Sequence, residues 1–379
     1  MNASLVKRTV IINTVLNLRK SSGITDAVIH SAVAGIDHGH ETLIITWVNE
    51  NSVNFKSISP KINIIKLIWN NNPLIRFFIF RKQLLKSIQL FQKQNRRVIV
   101  HDHGLWMDSN IASCLTSYLN DIPLLVSPHG SLEPWAMEHK KIKKKIAFQL
   151  YQKFLLNKAS YIHATSESEK LAVQKLLPKS NIKVIALGTN VIKKEFVSKC
   201  DSKNAIFLSR IHKKKGLDIL IDAWANASHD GWKMIIVGPN EGSYFDNIKK
   251  RIKMHRLEDD IKLVGGLYGN DKQSVLFNSS LFILPTYSEN FGLVIPEAFM
   301  SGLPVITTNK TPWLNLQKIG CGWTISPDMN ALIKAIEEAT KMSPTELRSM
   351  GEIGRNWMID MFTWDTFGKN LISTYLKIK

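Results

Sequence analysis

At 379 residues the chain is too long for one ordinary hydrophobic core and suits two domains of ordinary size. Apolar residues make up 44% of it, mean hydropathy is −0.07, and no apolar run approaches the length of a membrane-spanning helix, which describes a soluble globular protein. The formal charge of +19 calls for an anionic partner or surface: nucleic acid, lipid or substrate.

Residues 1–13 run straight into a strand-like segment and lack the apolar stretch and small-residue cleavage site of a secretory signal. Cys114, Cys200 and Cys321 are far apart, odd in number and in no metal spacing, so a reduced, cytoplasmic protein without structural zinc is expected. The first half then alternates strands and helices. A strand at 9–15 leads through a loop at 17–23 into a helix at 24–34. Buried strands follow at 42–48, 62–67, 98–101, 124–127 and 161–164. No G-x-G-x-x-G follows the first strand, so a dinucleotide fingerprint is absent. Two strands end in His-Gly loops, at His103 and at His129, and in open parallel sheets ligands gather beyond such strand ends. His101 and His103 would share one face of their strand, but no third metal ligand is evident.

Residues 140–156 begin with a lysine cluster and carry Ile142, Ile146, Leu150 and Phe154 at i+4 steps, the pattern of an amphipathic helix. Its apolar stripe is expected to pack on the core with the lysines solvated. Near an anionic leaflet those lysines would contribute about 1 kcal/mol each, so peripheral contact with an anionic inner-membrane surface is a further expectation. Residues 72–86 are a second apolar-basic candidate. A nucleic-acid binder would interleave exposed aromatics with the basic cluster. Phe148, Tyr151 and Phe154 read as buried, so nucleic acid is not an expected partner.

A polar stretch without periodicity suggests a linker at 199–204, dividing a first domain at 1–198 from a second at 205–355, with a terminal helical segment at 356–379. Residues 205–224 read as strand, basic loop and amphipathic helix, and three successive lysines, Lys213 to Lys215, repel one another unless an anion sits nearby. Strands at 234–237 and 261–264 also end in glycines. Residues 281–308 are the most informative: an apolar strand closed by Pro285, a polar loop, a short helix with Pro296 in its first turn, Gly302, then a β-branched strand. That is the pattern of a parallel sheet. Gly292, at the loop-to-helix junction, lets backbone N–H groups approach an anion. Glu289 and Glu297 flank it, too far apart in sequence, roughly 12 Å along a helix, for an easy metal or proton-sharing pair. Two hydroxyl acceptors along an elongated ligand fit better; solvated carboxylates near a helix start are the plain alternative.

The motif from Ser288 through Glu297, continued to Val305, resembles glycosyltransferase family 4, enzymes of the GT-B architecture. That resemblance implies an α/β fold of two Rossmann-like parallel-sheet domains facing each other across a cleft. It implies a retaining, hexosyltransferase-type enzyme that uses a nucleotide sugar and a saccharide or lipid-linked acceptor, with no metal or other cofactor. In the family pattern Glu289 contacts the transferred sugar, Asn290 belongs to the donor-binding stretch, and Phe291, Gly292, Leu293 and Val294 hold sugar and diphosphate through backbone N–H groups. Glu297 accepts from the ribose, and Arg210 and Lys215 bind the diphosphate. Gly266 and Leu267 lie where the family accommodates the base, and His129 matches its active-site His-Gly loop. Gly23 is the one glycine kept of the two that the family often has in its first phosphate loop. The 356–379 helix would cross back to the first domain. Analogy points to surface polysaccharide synthesis, of O-antigen, capsule or lipopolysaccharide. A sugar-nucleotide epimerase or a phosphorylase on the same architecture is the alternative.

Overall fold

Short runs of Val, Ile and Leu, too brief for helices and bounded by polar loops, recur in both halves of the chain, and each forms a strand of a parallel sheet. The structure is a computed structural model and describes residues 9–19, 22–49, 52–53, 60–193, 202–239 and 242–378. It divides into two units, residues 1–187 with 364–379, and residues 188–363.

The first unit holds strands β1 (Thr9–Asn17), β2 (Glu41–Val48), β3 (Asn63–Ile68), β4 (Arg97–His103), β5 (Leu124–Ser127), β6 (Tyr161–Ala164) and β7 (Ile182–Val184). Their spatial order is β3-β2-β1-β4-β5-β6-β7, every neighbouring pair parallel. Val10, Ile12, Val100, Val126 and Ile162 build the main core with Phe80 and Leu84 of helix Pro73–Lys93. The second unit holds β8 (Asn204–Leu208), β9 (Lys233–Val237), β10 (Ile261–Gly265), β11 (Leu281–Leu284), β12 (Val305–Thr308) and β13 (Gly322–Ile325), in the order β10-β9-β8-β11-β12-β13. These pairs too are parallel. In each sheet the winding direction reverses once, between β1 and β4 and between β8 and β11. Such reversals are where open α/β sheets gather ligands.

The unit boundaries differ from those read in the sequence. The chain leaves the first unit after Leu187, close behind β7, and Thr189 already pairs with Thr363 and donates its N–H to Phe362 O at 2.8 Å. Half of the expected linker, residues 199–201, lies outside the described residues. Helix Pro344–Met361 stays in the second unit because Trp357 packs edge-on against Trp313 and Phe299. Helix Trp364–Lys377 belongs to the first unit, where Trp364 stacks on His30 at 3.9 Å.

The basic amphipathic segment corrects a second expectation. It forms Lys141–Ala147, a π-turn at Phe148–Gln152, and Lys153–Asn157. Phe148, Gln152, Leu155 and Leu156 face the core, whereas Ile142, Ile146, Leu150 and Phe154 are exposed. The helix carries two apolar faces, and Leu150 lies about 200° around the axis from Phe148, so only one face can be buried. Phe154, read as buried, is on the outside.

Candidate active site

The reversal in the second sheet sets the loops after β8 and β11 side by side. The β8 loop ends in a 3₁₀ turn, Lys213–Lys215, capped by His212, whose Nδ1 accepts from Lys214 N at 3.1 Å. Gly216 follows with φ +68°, and a Cβ there would overlap the Pro285 carbonyl oxygen, so only glycine lets the two loops touch. Tyr287 N and Thr286 Oγ1 both donate to Lys214 O, at 2.8 and 3.0 Å, and lock the loops together. As a result Lys215 Nζ pairs with Glu289 Oε1, with both side chains almost fully buried.

Glu289 is fixed on its other side, its N–H donating to Lys310 O at 2.9 Å. Gly292 has φ +73°, which turns the chain into helix Val294–Met300, with Leu293 as the capping residue. Phe291 is buried edge-on against Trp313, whose Nε1 donates to Phe291 O at 2.6 Å. Trp313 thus braces the loop. The Asn290 Oδ1 atom is buried without a hydrogen-bond partner among the described residues.

Glu297 makes its own ion pair, Oε1 accepting from Lys272 Nζ at 2.8 Å, while Oε2 is buried without a partner among the described residues. The two glutamates therefore each pair with a lysine of their own. Lys272 rises from helix Gly269–Phe277, which begins just after exposed Gly266 and half-buried Leu267, so that loop and Glu297 meet through it. Sequence reasoning missed Lys272, whose partner is 25 residues away. Arg210 is exposed and lines a cavity of about 210 Å³ with His212, Pro239 and Tyr244; neither Lys215 nor Glu289 is among its walls.

His129 and Gly23 lie in the first unit. Gly23 is exposed and opens helix Gly23–Asp37; the preceding Lys20 and Ser21 are outside the described residues. His129 adopts φ +50° just beyond β5 and stacks on His103, with His103 Nδ1 and His129 Nε2 3.1 Å apart. The loop is held by buried Glu169, which accepts from Gly130 N at 2.6 Å, Thr165 N at 2.7 Å and Thr165 Oγ1 at 2.9 Å. Glu169 is also part of a helix cap, its N–H donating to Ser166 Oγ at 3.1 Å.

Beneath His129 runs a directed chain of hydrogen bonds. His163 Nε2 lies 2.8 Å from Ile185 O and must donate, so its Nδ1 accepts from Ser127 Oγ at 2.7 Å. Ser127 then accepts from His101 Nε2 at 2.7 Å, and His101 Nδ1 accepts from Tyr375 at 2.6 Å. Every ring in the chain is neutral. Burial pushes the pKa of His163 down to about 4, that of His129 to about 3, and those of His101 and His103 well below the ordinary value. Among the described residues no three His, Cys, Asp or Glu side chains gather so as to hold a metal ion.

Residues 189–357 match the family model Glycosyl transferases group 1, and residues 22–192 match Glycosyltransferase Family 4. The chain belongs to glycosyltransferase family 4. This glycosyltransferase is 28% identical over 149 residues to an uncharacterized glycosyltransferase of Haemophilus influenzae, covering 39% of this chain and 41% of that protein, so the match spans less than half of that relative. It is 24% identical over 322 residues to the capsular polysaccharide biosynthesis glycosyltransferase CapM of Staphylococcus aureus, covering 79% and 82% of the two chains. Its fold matches that of Anabaena HepE in complex with UDP and glucose, with a TM-score of 0.78 at 18% identity over 97% of this chain and all of the other. The architecture is GT-B, with one Rossmann-like parallel sheet in each unit.

Proposed function

We propose that this glycosyltransferase moves a sugar from a nucleoside diphosphate sugar to a saccharide or lipid-linked saccharide, with retention of configuration, in the assembly of a surface polysaccharide such as O-antigen, capsule or lipopolysaccharide. It does so at the cytoplasmic face of a membrane, where lipid-linked acceptors are presented. The observation that carries the reading is the pair of carboxylates on either side of Gly292, Glu289 buried and Glu297 half-buried, each held by its own lysine. Glu297 Oε2 and Asn290 Oδ1 are buried acceptors that suit ligand hydroxyl groups, since leaving such atoms unpaired costs about 1–3 kcal/mol each.

In this reading Glu289 takes hydroxyls of the transferred sugar and Glu297 those of the ribose. Lys215, Arg210 and the N–H groups of residues 291–294 receive the negative charge that grows on the departing diphosphate. The bond from the anomeric carbon to the phosphate oxygen breaks as the acceptor oxygen attacks from the same face. The acceptor proton passes to the leaving diphosphate, so no separate enzymic base is needed. Protein cations supply the charge that a divalent metal would otherwise provide. In this reading the first unit, with His129 just beyond β5, receives the acceptor. The capsule role in the name of the Staphylococcus relative and the UDP held by the Anabaena neighbour support the substrate classes.

A panel of UDP-, GDP- and ADP-sugars with lipid-linked and free saccharide acceptors tests the reading. Product formation should require both substrates, and Lys215→Ala should lower kcat by about 10²–10³. Unchanged turnover in that variant, donor conversion without acceptor, or dependence on free phosphate would each refute it.

A further inference from the structure

We infer that the outer face of residues 141–157, with the start of helix Pro73–Lys93, docks on an anionic lipid leaflet. The purpose of such docking, to meet a lipid-linked acceptor, rests on the proposed function; the surface itself does not.

A helix at the surface of a globular unit normally turns one apolar stripe inward and its polar side out. Here a second stripe faces outward: Ile142 and Leu150 are 75% and 76% exposed, Ile146 and Phe154 55% and 49%. The core is already satisfied by Phe148, Leu155 and Leu156 on the opposite side. Nearby, Leu74, Ile75, Phe78 and Ile79 of the first turns of helix Pro73–Lys93 are exposed as well. The two patches meet around residues 106–108. The Trp106 ring lies 6.4 Å from that of Phe148 and beneath the Lys144 ammonium at 5.7 Å, and Asp108 pairs with Arg76 at 2.7 Å. At the far end Phe154 packs edge-on against exposed Tyr118 at 5.5 Å.

Charge selects the occupant. From residue 139 to 160, and again from 73 to 93, the sequence contains no Asp or Glu, while exposed Lys143, Lys145 and Lys153 lie along the outer stripe. A second copy of this chain would set lysines against lysines, which like-charge repulsion opposes. An anionic bilayer satisfies both components. Isoleucine, leucine and phenylalanine side chains enter the boundary between headgroups and acyl chains, and the ammonium groups remain at the phosphate level.

The test is co-sedimentation of the full chain with vesicles of phosphatidylcholine alone and of phosphatidylcholine mixed with phosphatidylglycerol. Binding is expected only to the anionic vesicles and is expected to weaken with added salt. Ile142→Ser with Leu150→Ser should lower it about tenfold, and Lys143→Glu with Lys145→Glu at least as much. All four positions are exposed, so circular dichroism and UDP binding should match those of the unaltered chain. Absence of an anionic preference, or unchanged binding in either double variant, overturns the docking surface. So does a dimer in solution that the Ile142→Ser, Leu150→Ser pair converts to monomers. Vesicle binding without sugar transfer would refute the proposed function and leave the docking surface standing; sugar transfer without vesicle binding would do the reverse.

Discussion

In the proposed function the nearly buried ion pair of Lys215 and Glu289 doubles as a binding device. Two unlike charges taken out of water are tolerated because each neutralises the other, and losing either partner leaves an uncompensated charge. A nucleoside diphosphate sugar offers each a replacement, phosphate for the ammonium and hydroxyls for the carboxylate. Lys272 has a different task. It engages one oxygen of Glu297 and leaves the other without a partner among the described residues, the oxygen that the proposed function gives to the ribose. Lys272→Met is therefore expected to weaken UDP, GDP or ADP binding by about tenfold, the scale of one charge-assisted contact, while kcat changes much less. Replacing the nucleotide by its 2′-deoxy form should reduce affinity in the unaltered chain and have little further effect in the variant. Equal losses for both nucleotides in the variant would count against this role. Glu289, Gly292 and Glu297 were legible in the sequence because they share one short motif. Lys272 was not, because its carboxylate partner belongs to another helix and nothing in its immediate neighbours marks it.

Between residue and fold, loops and helices are joined by side chains that serve two elements at once. Glu169 caps its own helix and receives three hydrogen bonds from the chain around Gly130 and Thr165. Glu169→Gln keeps the shape but turns an NH₂ group toward donors, leaving buried N–H groups unpaired. A loss of about 2–3 kcal/mol is expected in urea unfolding, with a further loss of activity through the His129 loop; an unchanged midpoint would refute this account. At this scale strand patterning was read well, since β5, β6 and β11 fall on the same residues in sequence and structure. The strands β7 and β13 were missed, being short and, for β7, only partly buried. The basic helix was read as a helix but with the wrong face inward. Periodicity counts apolar positions without saying which of two competing stripes has a core to meet; the packing around Phe148 and Leu155 decides that.

Over the whole molecule, the buried histidines make stability depend on acidity. Unfolded histidines titrate near the ordinary 6.5. In the folded state His30 and His163 fall to about 4 and His129 to about 3, with His101 and His103 lowered as well. Below about pH 6.5 the unfolded chain therefore binds protons that the folded chain refuses, and stability declines as pH falls. Asp102 acts in the opposite sense: burial raises it to about 6, so its contribution is present below the ordinary carboxylate value and fades as pH rises through 6. One carboxyl against several imidazoles leaves a net loss on acidification. The unfolding free energy from urea titration should fall between about pH 7 and about pH 5, by about 1.4 kcal/mol per pH unit for each uncompensated proton; a flat profile would contradict the buried, neutral rings.

The hydrogen bond from Tyr375 to His101 spans 274 positions of the chain. The first sheet is translated before the second, yet a residue that completes its histidine relay emerges only after residues 188–363 have been made. A nascent chain stopped before Trp364 would carry that sheet without the helix that covers Ala34 and His30. The half translated earliest is thus the half finished latest, and a fragment of residues 1–187 expressed alone should be recovered only when helix Trp364–Lys377 is supplied beside it.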